Sequence, residues 1–430
     1  MDSIDFSALF AGAVGEVPGV WWGQGAGEPM SLVDSLLDTV ADPDSGVNAV
    51  RAFSGLSLNP RLSRDLPDGL EMVSYGALGE LRKVAAAGRL EIIPAHYSAL
   101  PRLFAQGRLP ADVGLLQVSP PDRNGRVSLG IGVDYCGDAL QHTRTLVAEI
   151  NHAMPFIEDG PTLSLSDFAA TVEVDRPLAT MPLRAPDEVD QAIAGHVAGL
   201  IEDGATLQVG VGTLPNAVLQ ALSGHRDLGF HSGMITDGVL DLIDSGAVTG
   251  ARKEIDPGAV VTGSALGSAN LYRRLGEPAG QACQVSFRPA SYTHDPRVLS
   301  RLGGLVAINS ALEVDLAGQV GSERVAGRYL GAIGGQADFS RAASLTGARS
   351  IIALRSTSRG ASTIRPVLDG GLVTTVRADV DVVVTEHGAA VLTGLTERAR
   401  ALALINIAAE EHRDELARAV HNQNIQEVPA

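Results

Sequence analysis

The sequence predicts an α/β protein made of two similar open domains, each a largely parallel sheet with helices on both faces. Three observations carry that expectation. Short β-prone runs alternate with helix-periodic runs along most of the chain. One plan, a strand followed by Gly-x-Gly, a proline and a helix, occurs twice, in VWWGQGAGEPMSLVDSLLDTV (20–40) and in LQVGVGTLPNAVLQAL (207–222). Glycine, at 49 of 430 residues, is used at the level that the many turns of such sheets demand.

The first copy of the plan passes from Val20 through Gly23, Gly25 and Pro29 into a helix with Leu32, Leu36 and Leu37 on its apolar face. VNAVRAFSGLSL and a polar turn at Asn59-Pro60 follow, then GALGELRKVAAAGRL, whose Leu78, Leu81 and Val84 share a helical face. LEIIPAHYSALPRLFAQG gives another strand and helix start. Strands are expected at 113–118 and 127–133, with Pro120-Pro121 and Asn124-Gly125 as turn chemistry between them, and TRTLVAEIN adds one more. The stretch TVEVDRPLATMPLRAPDEVD (171–190) holds three prolines and little periodicity, which places a domain boundary near residue 187 and divides the chain into 1–187 and 188–430.

The second domain opens with a helix carrying Val189, Ile193, Val197 and Ile201 on one face; His196 within it reads as structural. In the second copy of the plan, Leu207, Val209 and Val211 form the strand, Gly210 and Gly212 the tight turn, and Pro215 stands at the helix start. Glycines there let backbone approach a ligand closely, and the open N–H groups of a helix start favour an anionic or carbonyl oxygen. HSGMITDGVLDLIDSG (231–246) comes next, then VVTGSALGSANLYRRLG. VSFRPASYTHDP (285–296) reads as a strand entering a polar turn, and LGGLVAINSALEVDLAGQVGSE as a long β-prone run carrying Glu313 and Asp315. YLGAIGGQADFSRAA, the strands SIIAL and VDVVVTEHG, and two helices from Glu397 onward complete the chain.

A formal net charge of −17 opposes general attraction to nucleic acid or to an anionic membrane face, so an anionic ligand must be met by local donors. Cys136 and Cys283 match no metal or redox spacing and read as two buried thiols in a reducing cytoplasm; no metal site is expected. The first residues lack the basic start of a secretory signal, and no apolar run approaches the length that spans a bilayer, which again points to a cytoplasmic protein.

Seven pieces, in order, carry a resemblance: PADVGLLQVSPPDRNGRVSLG, VAEINHAMP, VGVGTLPNAV, HSGMITDGVLDL, INSALEVDLAGQVGSE, GAIGGQADF and VVTEHGAAVL. Together they resemble the acetyl-CoA hydrolase/transferase family, the single-chain branch of the class I CoA-transferases that includes 4-hydroxybutyrate CoA-transferase. The resemblance covers nearly the whole chain. It implies two similar open α/β domains with the active site at their junction, an acyl-CoA substrate and a small-molecule acceptor or water as partners, and a homodimer or larger assembly. Coenzyme A is implied to lie along Gly210, Val211, Gly212, Thr213 and Leu214 and around Gly334, Gly335 and Gln336, bound through backbone donors rather than a basic face.

Family members are expected to attack the acyl-CoA with a glutamate in a pattern like His-Ser-Glu-Met. Here the matching residues are His231, Ser232, Gly233 and Met234, so glycine stands at the nucleophile's position. In a turn that usually reads Val-Asn-Asp-Pro, this chain has Thr293, His294, Asp295 and Pro296. Without a carboxylate at Gly233 no covalent CoA shuttle runs from that position, while the missing side chain leaves room for water or a second nucleophile. His294 has the chemistry of a general base for that nucleophile, and His231 is a weaker alternative. Glu313 is the carboxylate that a conventional CoA-transferase reaction would recruit instead, although the resemblance favours a supporting place for it beside the active site. Glu386 and His387 in VVTEHG are read the same way; Gly388 is placed with His231 and Gly233 at the substrate. The leading expectation is direct transfer of a short acyl group from CoA to water or another acceptor. A CoA-transferase using Glu313 and a non-catalytic CoA-binding protein are the rivals, and a sugar-phosphate isomerase of similar architecture shares only the Gly-x-Gly turn.

Overall fold

The computed structural model describes residues 4–13, 15–181, 184–277, 284–368 and 371–426. The chain divides into two compact units. One gathers Met1–Pro182, Ser232–Asp237 and Val261–Asp295; the other gathers Leu183–His231, Gly238–Val260 and Pro296–Ala430.

Seven parallel strands form the sheet of the first unit, in the spatial order Leu90–Ile92, Leu70–Ser74, Val50–Phe53, Gly19–Trp22, Val113–Val118, Thr145–Asn151 and Ala170–Val174. Alternation along Gly19–Trp22 explains how both faces are covered, because successive side chains point to opposite sides. Val20 and Trp22 join the apolar cluster with Leu32, Val33, Leu36 and Leu37 of the helix Met30–Ala41. Trp21 faces the other way, in edge contact with Phe104 at 5.9 Å and Tyr135 at 6.4 Å.

The second unit repeats the scheme. Its parallel strands run in the order Gly229–His231, Thr206–Val209, Leu305–Ser310, Arg349–Ala353 and Val382–Thr385, and Gly388–Val391 closes the edge antiparallel. Leu404, Ile405 and Leu416 of the helices Glu397–Asn406 and Glu410–Gln426 share one core cluster with Ile352 and Val383. Phe339, Ala342 and Ala343 of the helix Gln336–Thr346 share another with Leu305 and Ala307.

In both sheets the strand order reverses beside the strand that feeds a Gly-x-Gly turn: at Gly19–Trp22 in the first and at Thr206–Val209 in the second. Such switch points, at the carboxyl ends of the strands, are where open α/β sheets bind ligands. The duplicated plan read from the sequence therefore marks the same topological position twice.

Local structure departs from the sequence reading in three places. The run expected as a strand over 127–133 is a strand only over Arg126–Ser128; at its far end Gly132 makes a single antiparallel bridge with Ser264, and the Val133 and Asp134 N–H groups donate to the Gly263 carbonyl at 3.1 and 2.8 Å. The polar turn expected after VSF is a short helix, Ala290–Thr293, with His294 as its C-terminal cap, buried at 4 % exposure. Pro215 does not open its helix, which begins at Thr213; it occupies the third position, still within the turn where no N–H is needed. Cys136 is buried and free, whereas Cys283 lies outside the described residues. Among the described residues no helix is long and apolar enough to cross a membrane.

Candidate active site

Gly233 and His294 meet in the first unit. The Gly233 carbonyl accepts from the Gly263 and Ser264 N–H groups, both at 3.1 Å, and this fixes the glycine against the segment that also holds Val133 and Asp134. A Cβ built on Gly233 would lie 2.8 Å from Cε1 and 2.9 Å from Nε2 of His294, closer than real Cβ contacts come. The imidazole thus fills the space that a side chain at position 233 would use. Room left by the glycine, expected to admit water, is taken by the ring edge of His294.

Two neighbouring side chains hold that ring. Thr293 Oγ1 lies 2.8 Å from Nδ1, and the Tyr97 ring packs against the imidazole at a centroid distance of 4.6 Å and an angle of 42°. Tyr97 is itself anchored by Gln24, the residue between the two glycines of the first Gly-x-Gly turn. Gln24 Oε1 accepts from Tyr75 Oη at 2.8 Å and from the Leu56 N–H at 2.9 Å. Its Nε2 donates to Tyr97 Oη at 2.8 Å and to Asp134 Oδ2 at 2.9 Å. The Leu56 N–H can only donate, so the amide orientation is settled by the network. Burial raises the Asp134 carboxyl to about 6, against the stabilising hydrogen bond from Gln24. Burial, with Asp134 nearby, also pushes the Tyr97 hydroxyl well up, so Tyr97 is a neutral phenol at physiological pH. Gln24, Tyr97 and Thr293 were not singled out from the sequence. Gln24 sat in plain view between the glycines, but its partners come from loops and strands remote in the chain.

Gly210–Leu214 lie in the second unit, half-buried at the end of the strand Thr206–Val209. A reciprocal amide pair, Gln208 Nε2 to Asn309 Oδ1 at 3.2 Å and Asn309 Nδ2 to Gln208 Oε1 at 3.0 Å, ties that strand end to Leu305–Ser310, and the Gly210 N–H reaches the Ile308 carbonyl at 3.2 Å. Gly212, at φ 141°, caps the helix Thr213–Ala221. Among the described residues, no acceptor within the unit engages the N–H groups of Gly212 to Leu214. His231 ends the strand Gly229–His231, fully buried.

Glu313 is buried at the start of the strand Glu313–Asp315, with Oε2 3.5 Å from Nε of Arg365. Beside its strand, Ser322 Oγ donates to Gln336 Oε1 at 3.0 Å, and Gln336 Nε2 donates to Thr375 Oγ1 at 3.2 Å. Gln336 therefore directs its side chain into this small sheet while its backbone starts the helix Gln336–Thr346. Of the two preceding glycines only Gly334 needs the left-handed region, at φ 54°; Gly335 has ordinary helical backbone. Glu386 accepts from the Ser356 N–H at 2.9 Å and from Ser356 Oγ at 2.6 Å, pinning the hairpin that places Gly388 directly across from Thr385.

Comparison with known proteins decides the family. Residues 11–172 match the acetyl-CoA hydrolase/transferase N-terminal domain, and residues 267–420 match the acetyl-CoA hydrolase/transferase C-terminal domain. The chain belongs to the acetyl-CoA hydrolase/transferase family. It is 38% identical to 4-hydroxybutyrate coenzyme A transferase of Clostridium kluyveri, over 91% of this chain and 90% of that one. An acetyl-CoA hydrolase of Eremothecium gossypii is 26% identical, over 89% of this chain and 81% of that one. Among solved structures, RipA from Yersinia pestis superposes with a TM-score of 0.87 at 32% identity, covering 99% of this chain and 100% of that one. 4-Hydroxybutyrate CoA-transferase from Porphyromonas gingivalis gives 0.79 at 32%, covering 97% and 96%. The family comprises acyl-CoA-processing enzymes of both hydrolase and transferase type, and this chain is an enzyme of that kind.

Proposed function

We propose that this enzyme moves a short acyl group from CoA directly to water or another small acceptor, without a glutamyl-CoA intermediate, and that His294 is the general base. The observation that carries the reading is the imidazole edge of His294 occupying the side-chain space of Gly233. A carboxylate nucleophile is absent at that position, and a group able to take a proton near neutrality stands in its place. In the hydrolytic form, His294 takes one proton from water as the water oxygen bonds to the thioester carbonyl carbon. Collapse of the tetrahedral intermediate breaks the carbon–sulfur bond, and the proton passes from the imidazolium to the departing CoA sulfur. General-base assistance of this kind contributes roughly 10²–10⁴-fold.

Coenzyme A is assigned to the backbone donors of Gly210, Val211, Gly212, Thr213 and Leu214 and to the turn at Gly334, Gly335 and Gln336, with His231 and Gly388 near the acyl group. Local donors suit an anionic ligand of a chain whose formal net charge is −17. A buried free thiol at Cys136 fits a reducing cytoplasm, where the enzyme is proposed to work as a homo-oligomer.

Incubating the pure protein with a panel of acyl-CoA thioesters is expected to release free CoA, and His294→Ala to lose at least about 99% of that rate. Unchanged turnover in the variant removes His294 from the mechanism. CoA affinity by calorimetry with no turnover on any thioester would instead mark a CoA-binding protein. A second reading is supported by the buried carboxylate of Glu313, held beside Arg365: a conventional CoA-transferase that forms its anhydride there. Borohydride trapping during turnover, followed by peptide mass spectrometry, would find a reduced Glu313 only on that route.

A further inference from the structure

Gln24 lies between the glycines of the first Gly-x-Gly turn and is buried together with Tyr75, Tyr97 and Asp134, the side chains its amide joins. Gly55 leaves the room for it: a Cβ there would collide with Gln24 Oε1 and lie 2.7 Å from Cε1 of Tyr75. The Tyr97 ring is pinned as a result. Gln24 holds its hydroxyl, the Tyr75 ring meets it edge-on at 5.3 Å and 90°, and the Tyr135 ring lies at 6.4 Å. The same ring packs on the His294 imidazole, with 4.6 Å between centroids. That is well inside the roughly 6 Å over which an aromatic ring attracts a cation. An imidazolium gains more from such a ring than a neutral imidazole does, so the contact favours the state that His294 enters on taking a proton.

We propose that Tyr97 is a positioning residue whose ring stabilises the imidazolium form of His294, and that Gln24 holds the ring in place for that task. This role rests on His294 acting as the base. It gives the first Gly-x-Gly turn a use, because the side chain between its glycines supports the base through one intervening ring. Carboxylates also lie along the short helix that carries His294. The Asp134 carbonyl accepts from the Ala290 N–H at 2.9 Å, Asp138 Oδ2 accepts from the Ser291 N–H at 3.0 Å, and Asp295 follows in the chain. Burial raises Asp134 to about 6 and lifts Asp138 above its ordinary value; it also keeps the Tyr135 hydroxyl and the Cys136 thiol neutral. His96 and Arg102, beside Tyr97 and on the next helix, are exposed. The test therefore varies the ring and leaves these groups as they are.

His294 is titrated by NMR in full-length protein carrying ¹³C-labelled histidine, its signal assigned by loss in His294→Ala. Tyr97→Phe is compared with proteins bearing increasingly fluorinated phenylalanines at the same position, which withdraw negative charge from the ring face with little change of shape. The His294 pKa is expected to fall stepwise, by about one pH unit from Tyr97→Phe to the most fluorinated ring. The acidic limb of the kcat/KM profile for CoA release should move down with it, and the plateau should drop about threefold as the base weakens. Gln24→Met removes the anchoring amide and keeps the native ring; it is expected to lower both the His294 pKa and kcat, with KM unchanged. A pKa that stays flat or rises across the fluorinated series overturns the role of Tyr97. A native titration in Gln24→Met overturns that of Gln24, even where kcat falls. Both results are read from the titration, so they stay distinct from unchanged turnover in His294→Ala, which would remove the base itself.

Discussion

The two Gly-x-Gly turns occupy the same topological position in their sheets and have opposite fates. In the first, the protein's own side chains fill the mouth. Glu149 is fully buried and accepts from the Ser31 and Leu32 N–H groups, at 2.7 and 3.1 Å, at the start of the helix Met30–Ala41, where a ligand's oxygens would otherwise bind. Arg176 pairs with Glu149 from the other side. Glu28 gathers the Trp22 indole, Ser57 Oγ and the N–H groups of Leu58 and Asn59, while Gln24 reaches toward Tyr97 and Asp134. In the second, Gly210–Leu214 stay half-buried, and the helix start at Thr213 meets no internal carboxylate among the described residues. A strand, glycine turn and helix start supplies donors; whether those donors serve a ligand or the fold depends on what the rest of the chain brings to them.

That contrast can be broken at each turn. The largest expected effect is at Glu149. Replacing it with alanine takes the carboxylate from Arg176, which keeps only the neutral acceptors Gln117 Oε1 and the Glu28 carbonyl, and strips two helix N–H groups of their acceptor; it should destabilise the protein by about 3–5 kcal/mol in urea denaturation.

Next comes a pH effect confined to the filled mouth. Burial raises the Glu28 carboxyl from 4.5 to about 7, despite the four hydrogen bonds it accepts. The folded state therefore holds a proton that the unfolded chain releases earlier. Its contribution to stability is fully present below the unfolded value and is lost as pH rises through about 7, a decline on the order of 3 kcal/mol. Asp134, raised to about 6, adds a decline of the same sign at lower pH. Stability measured between pH 4.5 and 7 should fall, and Glu28→Gln should flatten that slope whatever its baseline stability.

The smallest effect on the fold is expected at the open turn. A Cβ on Gly210 meets only the Pro215 ring at 3.9 Å and the Ile308 carbonyl at 4.0 Å, both ordinary contacts. Gly210→Ala should change stability by less than about 0.5 kcal/mol yet weaken CoA binding several-fold by calorimetry. Loss of stability there with unchanged CoA affinity would make the two turns alike.

The architecture was legible because periodicity and glycine placement are local properties. Both turns, their strands and their helices follow from short windows of sequence. Gly233 and His294 were each legible as departures from a familial pattern, but their contact was not. The glycine alone suggested empty space, and only packing between segments remote in the chain shows that an imidazole takes it. His294 looked like part of a solvated turn because Thr293, Asp295 and Pro296 surround it in sequence; the short helix Ala290–Thr293 turns the ring inward. Gln24 was hidden for a related reason. A glutamine between glycines has no meaning until Tyr75, Tyr97, Asp134 and the Leu56 N–H converge on its amide.

The central claim is that chemistry is carried out at Gly233 by His294 and not by a carboxylate nucleophile. A crystal structure with a non-hydrolysable acyl-CoA thioether or ketone analogue tests it most directly. The carbonyl carbon is expected over Gly233, with Nε2 of His294 within about 3.2 Å of the bound water or acceptor oxygen that faces it. A carbonyl carbon placed instead within about 3–3.5 Å of a Glu313 carboxylate oxygen and turned away from His294 would contradict the account.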